Sequence, residues 1–305
     1  MNKKIVFMGT SDFAVPILKS LYQNGFSVSA VYTQPPKKSN RGQKINKSPI
    51  HIFSETLSYE VRFPETLKNN FEEKEFLEKL KVDLVIVVAY GHIIPKNLLC
   101  LSKNGFINIH ASLLPKWRGA APIQRSIMNL DNEIGISIMK IVEELDAGPV
   151  CNIYKINLNI NENAEAVSEK LSILAAEKIL ENIDKIFEDR AKFIEQDHPN
   201  ATYANKIQKK EGKIDWNQKA AIIIAQINGL YPSPSAFFVF NGERYKILKA
   251  EAAKGIGKVG EVISDKLEIA CSENESIKIL EIQREGKRPQ KVEEFMLGSQ
   301  IKKGT

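Results

Sequence analysis

Eight consecutive residues, Val82-Asp83-Leu84-Val85-Ile86-Val87-Val88-Ala89, constrain this chain more than any other stretch. An apolar, mostly β-branched run without alternation does not suit a strand with one wet face. It suits a strand buried on both faces, as in a parallel sheet covered by helices on either side. The neighbouring sequence supplies the rest of such a layer structure. Lys4–Met8 is a short strand ending at Gly9, and Ser11 or Asp12 can cap a helix that runs to about Asn24 and stops at Gly25. Phe26–Thr33 reads as a second strand and Glu72–Leu80 as a helix. Gly105–His110 reads as a strand that breaks at Leu113-Leu114-Pro115. A helix near Ala121–Leu130, strands at Ile134–Ile141 and Pro149–Ile156, and a long amphipathic helix over Ala164–Ile186 complete the pattern. Strand–helix alternation of this kind predicts a Rossmann-like, doubly wound α/β domain over residues 1–189.

The pattern changes near residue 190. Asp197-His198-Pro199-Asn200 is turn chemistry, and residues 190–206 read as a linker. Residues 207–305 hold one helix signal, Gln218–Gly229, and then five short strand signals: Ala236–Phe240, Tyr245–Ala250, Val259–Ser264, Leu267–Ala270 and Ser276–Ile282. That spacing predicts a small OB-like β-barrel. Charge follows the same boundary. Residues 201–305 carry 18 Lys plus Arg against 13 Asp plus Glu, leaving 25 against 24 in residues 1–200. The basic excess therefore sits in the last third, which suits either an anionic partner or a merely solvated lysine-rich surface. Three scattered cysteines, Cys100, Cys151 and Cys271, support neither a disulfide framework nor a structural zinc site. The apolar run Ile5–Met8 is too short for a secretory leader or a membrane span, so no membrane partner and a cytoplasmic address are expected.

Gly9-Thr10-Ser11 follows the first strand without a G-x-G-x-x-G, and no P-loop is present, so neither a dinucleotide nor ATP hydrolysis is supported. Asn108 and His110 share a strand face, at the carboxyl end where open α/β sheets bind ligands. An Asn amide can donate to a developing oxyanion and a histidine can relay a proton. Asp146, in the loop Glu144-Leu145-Asp146-Ala147-Gly148-Pro149, is a natural partner to orient His110. Each residue alone is ambiguous, since a strand-end histidine is more often structural and an Asp before Gly is often a turn residue. Ser112 lacks the G-x-S-x-G frame of a nucleophile elbow. Between Gln34 and Pro49 lie Lys37, Lys38, Arg41, Lys44 and Lys47 with no acidic residue, on what reads as a loop.

The run His110-Ala111-Ser112-Leu113-Leu114-Pro115-Lys116-Trp117-Arg118-Gly119-Ala120-Ala121-Pro122-Ile123 resembles the signature of the folate-dependent formyltransferase family. Ala89-Tyr90-Gly91-His92-Ile93-Ile94-Pro95 and Leu145-Asp146-Ala147-Gly148 match two further family blocks. Ala201–Ile207 and Ile214-Asp215-Trp216 resemble the start of the C-terminal domain in the members that act on tRNA, whereas the glycinamide ribonucleotide branch stops after the first domain. The resemblance covers about residues 3–300. It implies formyl transfer from 10-formyltetrahydrofolate to the α-amino group of initiator methionyl-tRNA, by a metal-free monomer. Asn108, His110 and Asp146 would be the catalytic trio. Ser112, Leu113, Leu114 and Pro115 would lie against the folate, and Tyr90 and Gly91 would border its pterin. The resemblance also implies that the basic loop meets the acceptor end of the tRNA through Arg41, with Lys37, Lys38 and Lys44 on phosphates. The C-terminal barrel would hold the inside of the tRNA L. The chain departs from the family pattern at Asn228, where an arginine is frequent, and at Ser233, where an aromatic stands between two prolines. Two other readings compete: formylation of an amino-sugar nucleotide or other small amine, and non-catalytic RNA binding.

Overall fold

A computed structural model describes residues 3–39 and 44–305, without the side chains of 38, 39 and 44. The chain divides into two compact units. The first comprises 1–118, 135–155 and 168–203, and the second comprises 119–134, 156–167 and 204–305.

The first unit is built on a seven-stranded sheet. Its strands are β1 (Lys4–Gly9), β2 (Ser27–Tyr32), β3 (Val61–Arg62), β4 (Leu84–Val88), β5 (Phe106–His110), β6 (Glu133–Lys140) and β7 (Val150–Asn157), in spatial order β7-β6-β5-β4-β1-β2-β3. All five residues of β4 are buried, as its unbroken apolar run requires. Val6 and Met8 of β1, Tyr32 of β2, and Val85 and Val87 of β4 pack on one face with Leu77 of the helix Phe71–Leu80. Strands β1 to β5 pair in parallel, but β6 runs antiparallel to β5. The sequence carries no strong signal for that reversal, because a buried strand looks the same in either direction.

The helices Phe71–Leu80 and Pro49–Thr56 start on side-chain caps. Asn70 Oδ1 accepts from the Glu73 amide at 3.2 Å, and Ser48 Oγ accepts from the His51 amide at 3.0 Å with Pro49 next to it. The second of these helices, Pro49–Thr56, follows the basic segment, and part of that segment is not the loop the sequence suggested. Lys37–Ser39 and Lys44–Asn46 pair as the arms of a short antiparallel hairpin.

The second unit carries an antiparallel sheet that also follows the sequence pattern. The strands Ala236–Phe240, Glu243–Lys254, Glu275–Arg284, Glu268–Ala270 and Val262–Ser264 lie side by side in that order, with Gln290–Lys291 added beside Glu275–Arg284. The order is an open path and not a closed ring. Register breaks at Ile247–Lys249 and Lys249–Ala250 interrupt the longest ladder, the device by which strands bend. Ile223, Ile224 and Ile227 of the helix Ala220–Gly229 fill the concave side against Ile247, Ile277 and Ile279. The helix Pro122–Met128 also belongs to this unit. Arg125 is ion-paired to Glu211 at 2.6 Å, and a Cβ on Gly229 would stand 2.6 Å from Met128 Cγ.

Candidate active site

Strand β5 carries Asn108 half-buried and ends on His110, which is buried. Asp146 reaches both from the loop between β6 and β7. Its Oδ1 accepts from Asn108 Nδ2 at 3.4 Å, and its Oδ2 stands 3.6 Å from His110 Nδ1. The other ring nitrogen of His110, Nε2, is 2.8 Å from the Trp117 carbonyl. Both imidazole nitrogens therefore face acceptors. The three residues named from the sequence converge, although the contacts to Asp146 are longer than tight hydrogen bonds, as is common where no substrate draws a site together.

Asp146 is held by its backbone. It has φ of 47°, and Gly148 follows at a place where a Cβ would lie 2.0 Å from the Lys140 carbonyl oxygen. Only glycine lets the loop return so close to β6. Gln196, which belongs to no recognisable motif, pins this loop. Its Nε2 donates to the carbonyls of Asp146 at 2.8 Å and Gly148 at 2.7 Å. Its Oε1 accepts from Arg118 Nε at 3.1 Å and Arg118 Nη2 at 2.9 Å. Arg118 is 1% exposed, and its Nη1 also lies 3.7 Å from Glu144 of the same loop. A buried guanidinium thus braces the Asp146 loop through a neutral amide. Nothing in local spacing could have paired Gln196 with residues about fifty positions earlier.

The turn after His110 is rigid. Ser112 Oγ donates to the Lys116 carbonyl at 2.6 Å, and Ser137 Oγ bridges the Ser112 carbonyl at 2.7 Å to the Leu114 amide at 3.1 Å. Ser112 and Leu114 are buried, whereas Leu113 and Pro115 are half-buried. The Leu114–Pro115 bond is cis.

Beyond β4, Tyr90 is buried while Gly91, with φ of 80°, is exposed. The Tyr90 hydroxyl and His92 Nε2 are buried without hydrogen-bond partners. Burial pushes the Tyr90 phenol up, with the Glu73 charge adding to it. Burial, then the Lys37 charge, pulls the His92 imidazole down. Of the basic residues, Lys37 donates to Gln34 Oε1 at 2.6 Å. Arg41 lies outside the described residues, as do the side chains of Lys38 and Lys44. Asn228 is buried and donates to the Ile160 carbonyl at 2.8 Å, a structural role within the second unit.

That unit also has a groove of about 550 Å³, with Arg284, Lys287 and Arg288 on its walls and Tyr245 and Phe295 among its aromatic lining. Arg284 pairs with Glu243, and Arg288 with Glu294 at 2.5 Å. Among the described residues no ion pair holds Lys287, no group of three or more His, Cys, Asp or Glu converges as a metal site, and no helix is long and apolar enough to cross a membrane.

Residues 3–183 match the formyl transferase family and residues 206–300 match the formyl transferase C-terminal domain. A methionyl-tRNA formyltransferase of Pelagibacter ubique is 66% identical over 305 residues, covering 100% of this chain and 98% of that one. The enzyme of the same name from Ruegeria pomeroyi is 41% identical, covering 99% of each. Among solved structures, WlaRD, a sugar 3N-formyltransferase crystallised in the presence of dTDP and 5-N-formyl-THF, superposes with a TM-score of 0.71 at 21% identity, over 94% of this chain and 100% of that one. At that identity the likeness is one of fold.

Proposed function

This chain belongs to the formyl transferase family, among the methionyl-tRNA formyltransferases, and from that premise we propose that it moves the formyl group of 10-formyltetrahydrofolate onto the α-amino group of initiator methionyl-tRNA. The observation that carries the reading is likeness along the whole chain, C-terminal part included, to enzymes of that name. The convergence of Asn108, His110 and Asp146 supports the chemistry. A folate at the carboxyl end of β4 and β5 is supported by the unpartnered polar atoms of Tyr90 and His92 and by the half-buried Leu113 and Pro115.

In this proposal the amine attacks the formyl carbon. A C–N bond forms at the amine, the bond from that carbon to folate N10 breaks, and the amine proton passes to N10 by way of His110. Asn108 Nδ2 turns from Asp146 toward the developing oxyanion, and His110 shares that load. Asp146 keeps the imidazole oriented. A preorganised oxyanion donor is typically worth about 3–4 kcal/mol. Neither a metal nor a covalent nucleophile enters this scheme. Arg41, Lys37, Lys38 and Lys44 would meet the acceptor end of the tRNA, and the basic excess of residues 201–305 would hold phosphates elsewhere on the same molecule. As a working division, residues 1–189 serve catalysis and 207–305 serve tRNA binding, joined by 190–206. The proposal places the protein in the cytoplasm as a monomer.

The test is formyl transfer from 10-formyltetrahydrofolate with charged initiator tRNA, free methionine and amino sugars offered in parallel. Transfer to the charged tRNA alone is expected. Transfer to a small amine would keep the chemistry and overturn the acceptor.

A further inference from the structure

Three adjacent strands of the first sheet, β4, β1 and β2, end on residues that are wired together. Thr10, at the end of β1, donates through Oγ1 to the Tyr90 carbonyl beyond β4 at 2.7 Å. The same hydroxyl accepts from the Gln34 amide beyond β2 at 3.3 Å. Gln34 then spans the gap with its side chain. Its Nε2 donates to the Gly91 carbonyl at 3.0 Å, and its Oε1 accepts from Lys37 Nζ at 2.6 Å. Lys37 begins the basic hairpin. The fit is close, because a Cβ on Gly91 would lie 2.4 Å from Gln34 Nε2. One amide therefore ties the hairpin base to the Tyr90–Gly91 backbone with its donor and acceptor ends both in use.

We propose that Gln34 is a positioning residue that couples the RNA-facing hairpin to the folate-facing Tyr90–Gly91 segment, so that each substrate strengthens binding of the other. The inference rests on the functional reading above, which assigns one substrate to each end of the relay. A phosphate that fixes Lys37 in place orders the donor to Gln34 Oε1, and so strengthens the hold of Gln34 Nε2 on the Gly91 carbonyl. Linkage then requires the folate to change RNA affinity by the same factor. Gln34 touches neither reacting atom and acts through Gly91 and Lys37.

The experiment is calorimetric binding of tetrahydrofolate to the full chain, with and without saturating uncharged initiator tRNA, so that no turnover intervenes. In the unaltered protein the tRNA is expected to tighten tetrahydrofolate about fivefold or more, the lower end of common allosteric couplings. Gln34→Ala removes both ends of the relay. Gln34→Glu keeps an acceptor for Lys37 but sets a carboxylate oxygen against the Gly91 carbonyl. In both variants the ratio is expected to fall close to one, with Tm within a few degrees of the parent. A ratio of one in the unaltered protein, or an unchanged ratio in both variants, overturns the coupling. If tetrahydrofolate and tRNA fail to bind at all, the functional reading falls with it, whereas independent binding of both removes only the coupling.

Discussion

The Asp146 loop and the groove of the second unit spend charged residues in opposite ways. Arg118 is buried to 1% exposure and has its amide, imidazole and carboxylate neighbours arranged around one guanidinium. Arg284 and Arg288 stand 46% and 79% exposed, each against one carboxylate. A buried charge must be satisfied by fixed partners, and so it can fix the geometry of what it touches. An exposed pair adds little to stability, so a phosphate can take either arginine from its glutamate at little cost. The first arrangement suits chemistry that fails when atoms move by an ångström. The second suits a surface that sums many weak contacts.

The largest test of this contrast is His110→Ala. The variant is expected to keep its fold by circular dichroism and to lose formyl transfer by about a thousandfold, within the range for a positioned acid–base residue. Turnover near that of the parent would remove His110 from the chemistry. Next comes Gln196→Ala, which frees the Asp146 loop and leaves buried Arg118 short of an acceptor. A ten- to hundredfold fall in kcat with little change in KM is expected, since small misplacements of catalytic groups have that effect. Destabilisation of about 1–3 kcal/mol should accompany it, read as a shift in denaturant midpoint.

Gly91→Ala forces a Cβ onto a left-handed residue and should lower stability by about 1–2 kcal/mol, visible in Tm. Arg288→Glu, in the exposed groove, is expected to raise KM for charged initiator tRNA about threefold at low salt and hardly at all at high salt, with kcat unchanged. An equal loss at both salt concentrations would mean that the groove behaves like a buried site, and the contrast would fail. The smallest effect concerns pH. Burial holds the folded-state pKa values of His51 and His92 below the ordinary histidine range. The unfolded chain then binds more protons near pH 6, so this contribution is complete above about pH 6.5 and is lost as pH falls through that value. His51→Gln should flatten the decline of Tm between pH 7 and pH 5.5.

The same contrast explains what could be read from the sequence. The unbroken apolar run of β4 and the strand-end placement of Asn108 and His110 are local facts, and the structure has them where periodicity put them. Asp146 was legible as a loop residue between two predicted strands and through the block Leu145-Asp146-Ala147-Gly148, whereas its φ of 47° and the close approach of Gly148 to Lys140 emerged only in the fold. Gln196 was not legible, because its partners are some fifty and eighty residues away and its own neighbourhood reads as a plain turn. The direction of β6 was hidden for a similar reason: hydrophobic pattern reports burial, not polarity of the chain. The pairing of Lys37–Ser39 with Lys44–Asn46 was hidden by their lysines, which look like loop when the pairing backbone is ignored.

The helix Pro122–Met128 lies in sequence between β5 and β6, yet it packs with the helix Ala220–Gly229 in the second unit. On the ribosome, therefore, the segment that joins two strands of the catalytic sheet must wait for its packing partner. About a hundred further residues have to be made first, roughly 5–20 s at ordinary rates of synthesis. A nascent chain halted before residue 220 would therefore hold the helix Pro122–Met128 without the helix it packs on, although both strands that flank it in sequence had already been made.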